Sequence, residues 1–188
     1  MKDLNELRDK AYQCAVEHGW HEEKLSNEHF LCLVISELME AVEADRKGKR
    51  AQVEKFKEWQ GNSIPLTEET RQRRFKEDFE AYIKGSVEEE LADACIRIFD
   101  YWGTTNFVID DSCSKNEVIE EFSRIFKGIT FTESIFNIVI SITRFEIQIA
   151  FLKIFGLAKH IGIDIMWQIN QKIKYNQSRD YKHGGKQY

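Results

Sequence analysis

Apolar residues recur at helical spacing along most of this chain. Leu4, Leu7, Ala11, Cys14 and Ala15 step by three and four across about 3–18, and the pattern breaks at His18-Gly19. A second stripe, Leu31, Ile35, Leu38 and Val42, runs to about Asp45, with Asn27 as its expected cap. A third helix is expected from Ser86 to about Trp102. Ser86 is its cap, Glu89 completes a capping-box arrangement, and Leu91, Cys95, Ile98 and Trp102 form its stripe. The stretch 129–155 carries two periods. Ile138, Ile140 and Ile142 alternate as in a strand, whereas Ile135, Ile138, Ile142, Phe145, Ile149 and Leu152 follow a heptad. No Gly, Pro or Asn-Gly stands between Gly128 and Gly156 to turn a hairpin. One strand of that length would far exceed the usual ~5–6 residues. The expectation is one long buried helix. A last helix is expected over about Asp164–Tyr175, leading into a basic tail. The class is all-α: a helical bundle forming one domain over 1–188.

Composition adds to this picture in three places. The single proline, Pro65, agrees with a helical chain, and 188 residues with 42 % hydrophobic content can bury a real core. An excess of 32 Asp+Glu over 27 Lys+Arg makes the chain acidic, a poor match to general nucleic-acid binding. The charge is uneven, however. Residues 46–86 hold eleven Lys/Arg against seven Asp/Glu and contain the turn signal Gly61-Asn62-Ser63, so they read as a basic insert. The four cysteines, Cys14, Cys32, Cys95 and Cys113, form no CxxC pair and have no histidine at zinc-like spacing. They read as small buried hydrophobes in a reducing compartment. The charged start shows no signal peptide, and no apolar run is long enough to cross a membrane, so a cytoplasmic location is expected.

The chemistry lies in two short acidic motifs, Glu37-Leu-Met-Glu40 and Glu90-Leu-Ala-Asp93. Each sets two carboxylates three residues apart on one helix face. At about 100° per residue, Phe30, Leu33, Ala41 and Ala44 surround Glu37, and Glu40 borders the same stripe. Burying ionised carboxylates without a counter-charge is costly, and a divalent cation is the economical compensation. The second motif is open to another reading. Glu89, Glu90, Asp93, Arg97 and Asp100 share one arc, which also suits a solvated face laced with salt bridges in which Arg97 pairs with Asp93 or Asp100. If the two helices are antiparallel, Glu37, Glu40, Glu90 and Asp93 meet in one cluster. Four oxygen donors without His or Cys suit Mg²⁺ or Mn²⁺. Such sites complete themselves with water and substrate phosphates, which implies a polyphosphate substrate.

With these motifs in view, the chain resembles the all-alpha NTP pyrophosphatase superfamily, the MazG-like group, whose mark is an ExxE helix followed by an ExxD helix. The segment Asn170-Gln-Lys172-Ile-Lys174-Tyr175-Asn176-Gln-Ser-Arg179, followed by Tyr181-Lys182-His183-Gly184-Gly185-Lys186, is similar to the C-terminal segment of MazG-like proteins. The resemblance covers roughly 1–45, 86–106 and 156–188. The insert 46–86 and the apolar stretch 107–155 have no counterpart in it. It implies Mg²⁺-dependent hydrolysis of a nucleoside triphosphate between the α and β phosphates, giving the monophosphate and pyrophosphate. Glu37, Glu40, Glu90 and Asp93 would then be metal ligands, and Glu40 would also orient or deprotonate the water. Lys172, Asn176 and Arg179 become candidate substrate ligands, although cations at a helix end also complement its dipole. Tyr175 is expected to pack. His29, one turn before Leu33, is a candidate to face the base, and Trp59 to stack on it or anchor the insert. The resemblance also implies a homodimer or a dimer of dimers, while the acidic balance and the lack of a long apolar run argue against a stable nucleic-acid partner and a membrane. The alternative reading is a non-catalytic helical module that binds nucleotides, oligomerises or regulates. A third is a phosphoesterase releasing orthophosphate.

Overall fold

The computed structural model describes residues 3–61 and 67–182, and these form helices joined by short connections. The order is α1 (Leu4–Glu17), α2 (Asn27–Arg46), α3 (Val53–Gly61), α4 (Glu68–Tyr82), α5 (Val87–Thr105), a 3₁₀ turn (Asp111–Ser114), α6 (Asn116–Arg124), α7 (Phe131–Thr143), α8 (Ile147–His160) and α9 (Ile165–Gln177). The described residues contain no strand, as the helical periodicity predicts. Pro65 and the Asn62-Ser63 part of the turn signal lie outside the described residues, as do His183–Lys186 of the tail.

Local chemistry sets the helix starts. Ser26, one residue before the expected Asn27, caps α2 by accepting from the His29 N–H at 3.2 Å. Ser86 caps α5 by accepting from the Glu89 N–H at 3.2 Å. The Glu89 carboxylate reaches back to the Gly85 N–H at 2.8 Å, a variant of the capping box that leaves its other oxygen for tertiary use.

α2 and α5 form the central antiparallel pair. Phe30 near the start of α2 lies 6.0 Å from Tyr101 near the end of α5. Past the end of α2, the Lys49 carbonyl accepts from the Val87 N–H at the start of α5, 3.2 Å away. Leu38, Ala41, Leu91, Ala94, Cys95 and Ile98 are fully buried in the seam. Each such leucine or isoleucine stabilises the fold by about 1.5–3 kcal/mol. α1 and α9 pack on the same α5. At Gly103 a Cβ would stand 2.4 Å from Tyr12, so only glycine lets α1 approach α5 this closely.

The stretch 129–155 departs from expectation. It is a helical hairpin, α7 and α8, and not one long helix. The break needs neither Gly nor Pro. Phe145 itself takes the left-handed conformation (φ 59°), and the Glu146 N–H closes on the Ser141 carbonyl at 2.9 Å. Folding back buries Ile135, Ile138 and Ile142 from α7 and Ile147, Phe151 and Phe155 from α8 in one core, whereas of the second half of the expected heptad only Leu152 is buried, and Phe145 and Ile149 are exposed. Lys153 clasps the hairpin by donating to Ser141 Oγ at 2.9 Å. A straight rod of 27 residues, about 40 Å long, could not bring these two sets of side chains into one core.

The basic insert is also helical. α3 and α4 pair around a satellite core of Phe56, Phe75, Phe79, Ile83 and Tyr175. No helix among the described residues is long and apolar enough to cross a membrane.

Candidate metal centre

The antiparallel pairing of α2 and α5 brings the two acidic motifs face to face. Glu37, Glu40 and Glu90 each offer a carboxylate oxygen, and these oxygens lie within 4.8 Å of one another. Glu37 and Glu90 are both buried, at 7 % exposure, whereas Glu40 opens to solvent. The expected solvated face on α5 is therefore not found: Glu89, Glu90 and Asp100 are buried. With α5 packed between α1, α2 and α9, only Asp93 and Arg97 of that arc stay partly exposed, where they line a cleft.

Burial raises the cost of charge here. It pushes the Glu90 carboxyl up to about 9, helped by the neighbouring Glu89 and Asp93 carboxylates. Burial and the Asp93 charge push Glu37 up to about 7, even though Arg97 opposes the shift. Arg97 draws Glu37 down and Lys172 draws Glu90 down, but neither outweighs burial and the neighbouring carboxylates. Three carboxylates, two of them held above their usual range, with only oxygen donors, fit a hard divalent cation.

Asp93, the fourth expected ligand, stands apart from the trio. Lys172 of α9 is 4 % exposed; its ammonium lies 2.6 Å from Asp93 Oδ2 and also donates to Glu89. Burial alone would depress that ammonium, but Asp93 and Glu89 outweigh it and hold it above the ordinary lysine range. Lys172 is thus locked inside the protein on Asp93 and Glu89. Arg97 pairs with neither acid expected of it. Its Nε donates across the helix seam to Glu37 Oε1 at 2.9 Å. Asp100 instead takes His21 of the α1–α2 loop, with Nε2 2.7 Å from Oδ1.

Two clefts meet at Arg97, which bonds Glu37, and both are lined by Trp20, Arg97 and Asp100. His29 lines one of them with Phe30 and Leu33. Asn176 and Arg179 line the other with Asp93. The Asn176 Oδ1 atom is buried and accepts no hydrogen bond among the described residues. His18 ties this end of α9 to α1: its Nε2 lies 2.8 Å from the Arg179 carbonyl and its Nδ1 2.7 Å from the Cys14 carbonyl. Tyr175 packs as expected, stacked on Phe79 with centroids 4.4 Å apart and donating to Glu80 at 2.7 Å. Trp59 is exposed, beneath the Arg74 guanidinium, and lies away from the centre. Three cysteines are buried as expected, while Cys32 is exposed; all four are free thiols.

The pairings of Arg97 with Glu37, His21 with Asp100 and Lys172 with Glu89 carry no signal in the sequence, because each joins helices or loops far apart in the chain. The only hint was that Arg97 and Asp100 continue the acidic arc of α5. Comparison with known protein families, with curated proteins and with solved structures finds no match to this chain.

Proposed function

We propose that this chain is a divalent-cation-dependent nucleoside triphosphate pyrophosphohydrolase of the MazG-like all-alpha type. One observation carries the reading: an ExxE helix and an ExxD helix, antiparallel and in contact, gather Glu37, Glu40 and Glu90 around one point. The C-terminal segment supports it, because Asn176 and Arg179 line a cleft together with Asp93 of the ExxD motif and Arg97. Glu37, Glu40 and Glu90 would hold the cation, Mg²⁺ or Mn²⁺. When bound, it would neutralise phosphate charge and make a coordinated water more acidic.

The chain's own groups supply the rest. Glu40, the solvent-facing carboxylate, accepts a proton from the attacking water. Oxygen of that water bonds to phosphorus, the α–β anhydride bond breaks, and the pair of electrons leaves with pyrophosphate. Arg179 neutralises the phosphate chain and Asn176 binds it through its amide. Lys172 fixes Asp93 and Glu89, which limits the role first expected of it as a direct substrate ligand. His29, with Phe30 and Leu33, offers a partly apolar wall for the base.

The exposed aromatics Phe136 and Phe145 on the α7–α8 hairpin favour self-association as a dimer or a dimer of dimers. Incubation of the purified chain with Mg²⁺ and a panel of nucleotides tests the activity. Pyrophosphate release that is lost in Glu37→Ala supports it. Calorimetric binding without turnover would instead support the non-catalytic nucleotide-binding reading.

A further inference from the structure

Two fixed cations already sit at the acidic centre, Arg97 on Glu37 and Lys172 on the adjoining Asp93, and each engages a carboxylate that could otherwise bridge to a second metal ion. In centres with two ions, the ions stand ~3.5–4 Å apart and share carboxylates between them. Beside the Glu37–Glu40–Glu90 trio, the adjoining acids Glu89 and Asp93 of α5 both pair with Lys172, and within the trio Glu37 pairs with Arg97. Glu37 Oε1 receives Arg97 Nε at 2.9 Å, and Asp93 Oδ2 lies 2.6 Å from Lys172 Nζ. Both pairs are largely shielded, with side-chain exposures of 30 % and 10 % for Arg97 and Glu37, and 6 % and 15 % for Lys172 and Asp93.

Arg97 differs from Lys172 in one respect. Lys172 is spent entirely within the protein, whereas Arg97 lines both clefts beside the centre. Its Nε is used on Glu37, and among the described residues neither terminal nitrogen has a hydrogen-bond partner. A guanidinium held by one edge presents its other N–H groups as a fork suited to phosphate oxygens.

Resting on the metal reading of the trio, we infer that the centre takes a single divalent ion per chain and that Arg97 stands in the place of a second. Arg97 is a positioning residue for Glu37 in the metal-free protein and the fixed positive charge that meets the phosphate chain once substrate enters. The chain carries half of a two-cation arrangement in its own sequence.

The test is a titration of the full chain with Mn²⁺ alone, without nucleotide, read by electron paramagnetic resonance and calorimetry. Wild type should bind one Mn²⁺ per chain, with no spin coupling between ions. Arg97→Gln removes the competing charge and should bind Mn²⁺ roughly tenfold or more tightly, with a second ion entering. Arg97→Lys, which keeps the charge, should stay at one ion. Circular dichroism checks that the variants fold; if Arg97→Gln does not, the wild-type count still decides. Two coupled ions in wild type would overturn the inference while leaving the metal reading intact. Unchanged Mn²⁺ affinity in folded Arg97→Gln would do the same. No Mn²⁺ binding at all would overturn both.

Discussion

Glu90 shows most sharply how a single residue is made functional by its place. On a free helix it would be an ordinary surface acid; here burial and two neighbouring carboxylates push it up to about 9. A carboxyl whose pKa is raised on folding binds its proton more tightly in the native state, so stability is lost as pH rises between the unfolded and folded values. Melting of the metal-free protein should therefore fall by about 4 °C or more between pH 6 and pH 8.5. Glu90→Gln should remove much of that slope, and a flat wild-type profile would contradict the account. Added Mg²⁺ should raise the melting temperature more at pH 8.5 than at pH 6, because the ion and the proton compete for the same oxygens. The embedding of Glu37 was legible in the sequence, since Phe30, Leu33 and Ala41 flank it on the helical wheel. The engagement of Asp93 by Lys172 was not. It depends on how α9 lies across α5, and no local pattern encodes that crossing.

Among the elements, α2, α5 and α9 follow from periodicity and caps to within three residues, because each has an apolar stripe and a Ser or Asp at its start. The α7–α8 hairpin was hidden because its turn uses Phe145 in a conformation that glycine usually fills. The heptad running through the turn holds only in part: Ile135, Ile138, Ile142 and Leu152 are buried in one core from two helices, while Phe145 and Ile149 are exposed. The pair α6 and α8 depends on another glycine. A Cβ at Gly156 would stand 2.7 Å from backbone and side-chain atoms of Phe122, so α6 would have to move. Gly156→Ala should cost about 1–3 kcal/mol, seen as a lowered denaturation midpoint. Because α6 is remote from the acidic trio, Mn²⁺ affinity should change little at temperatures where this variant remains folded.

At the scale of the whole molecule, the chain divides its stability unevenly. The main core runs continuously through α1, α2, α5, α7, α8 and α9, while α3 and α4 rest on the small aromatic cluster around Phe79 and Tyr175. Native-state hydrogen exchange should show α3 and α4 opening well before α2 and α5, and equal protection across all four would contradict this division. The basic excess of 46–86 was plain in composition, but the packing of its helices against α9 beside Lys172 was not, since it rests on Tyr175 meeting Phe79. The rigid α2–α5 pair is what the proposed activity requires, because carboxylates must converge without rearranging. Phosphorus-31 NMR of the Mg²⁺-loaded chain with nucleoside triphosphates tests the central claim most directly. The account predicts that triphosphate signals give way to nucleoside monophosphate and pyrophosphate, and that Glu37→Ala and Glu90→Gln abolish the change. Unaltered triphosphate across the panel, or orthophosphate as the first product, would contradict it.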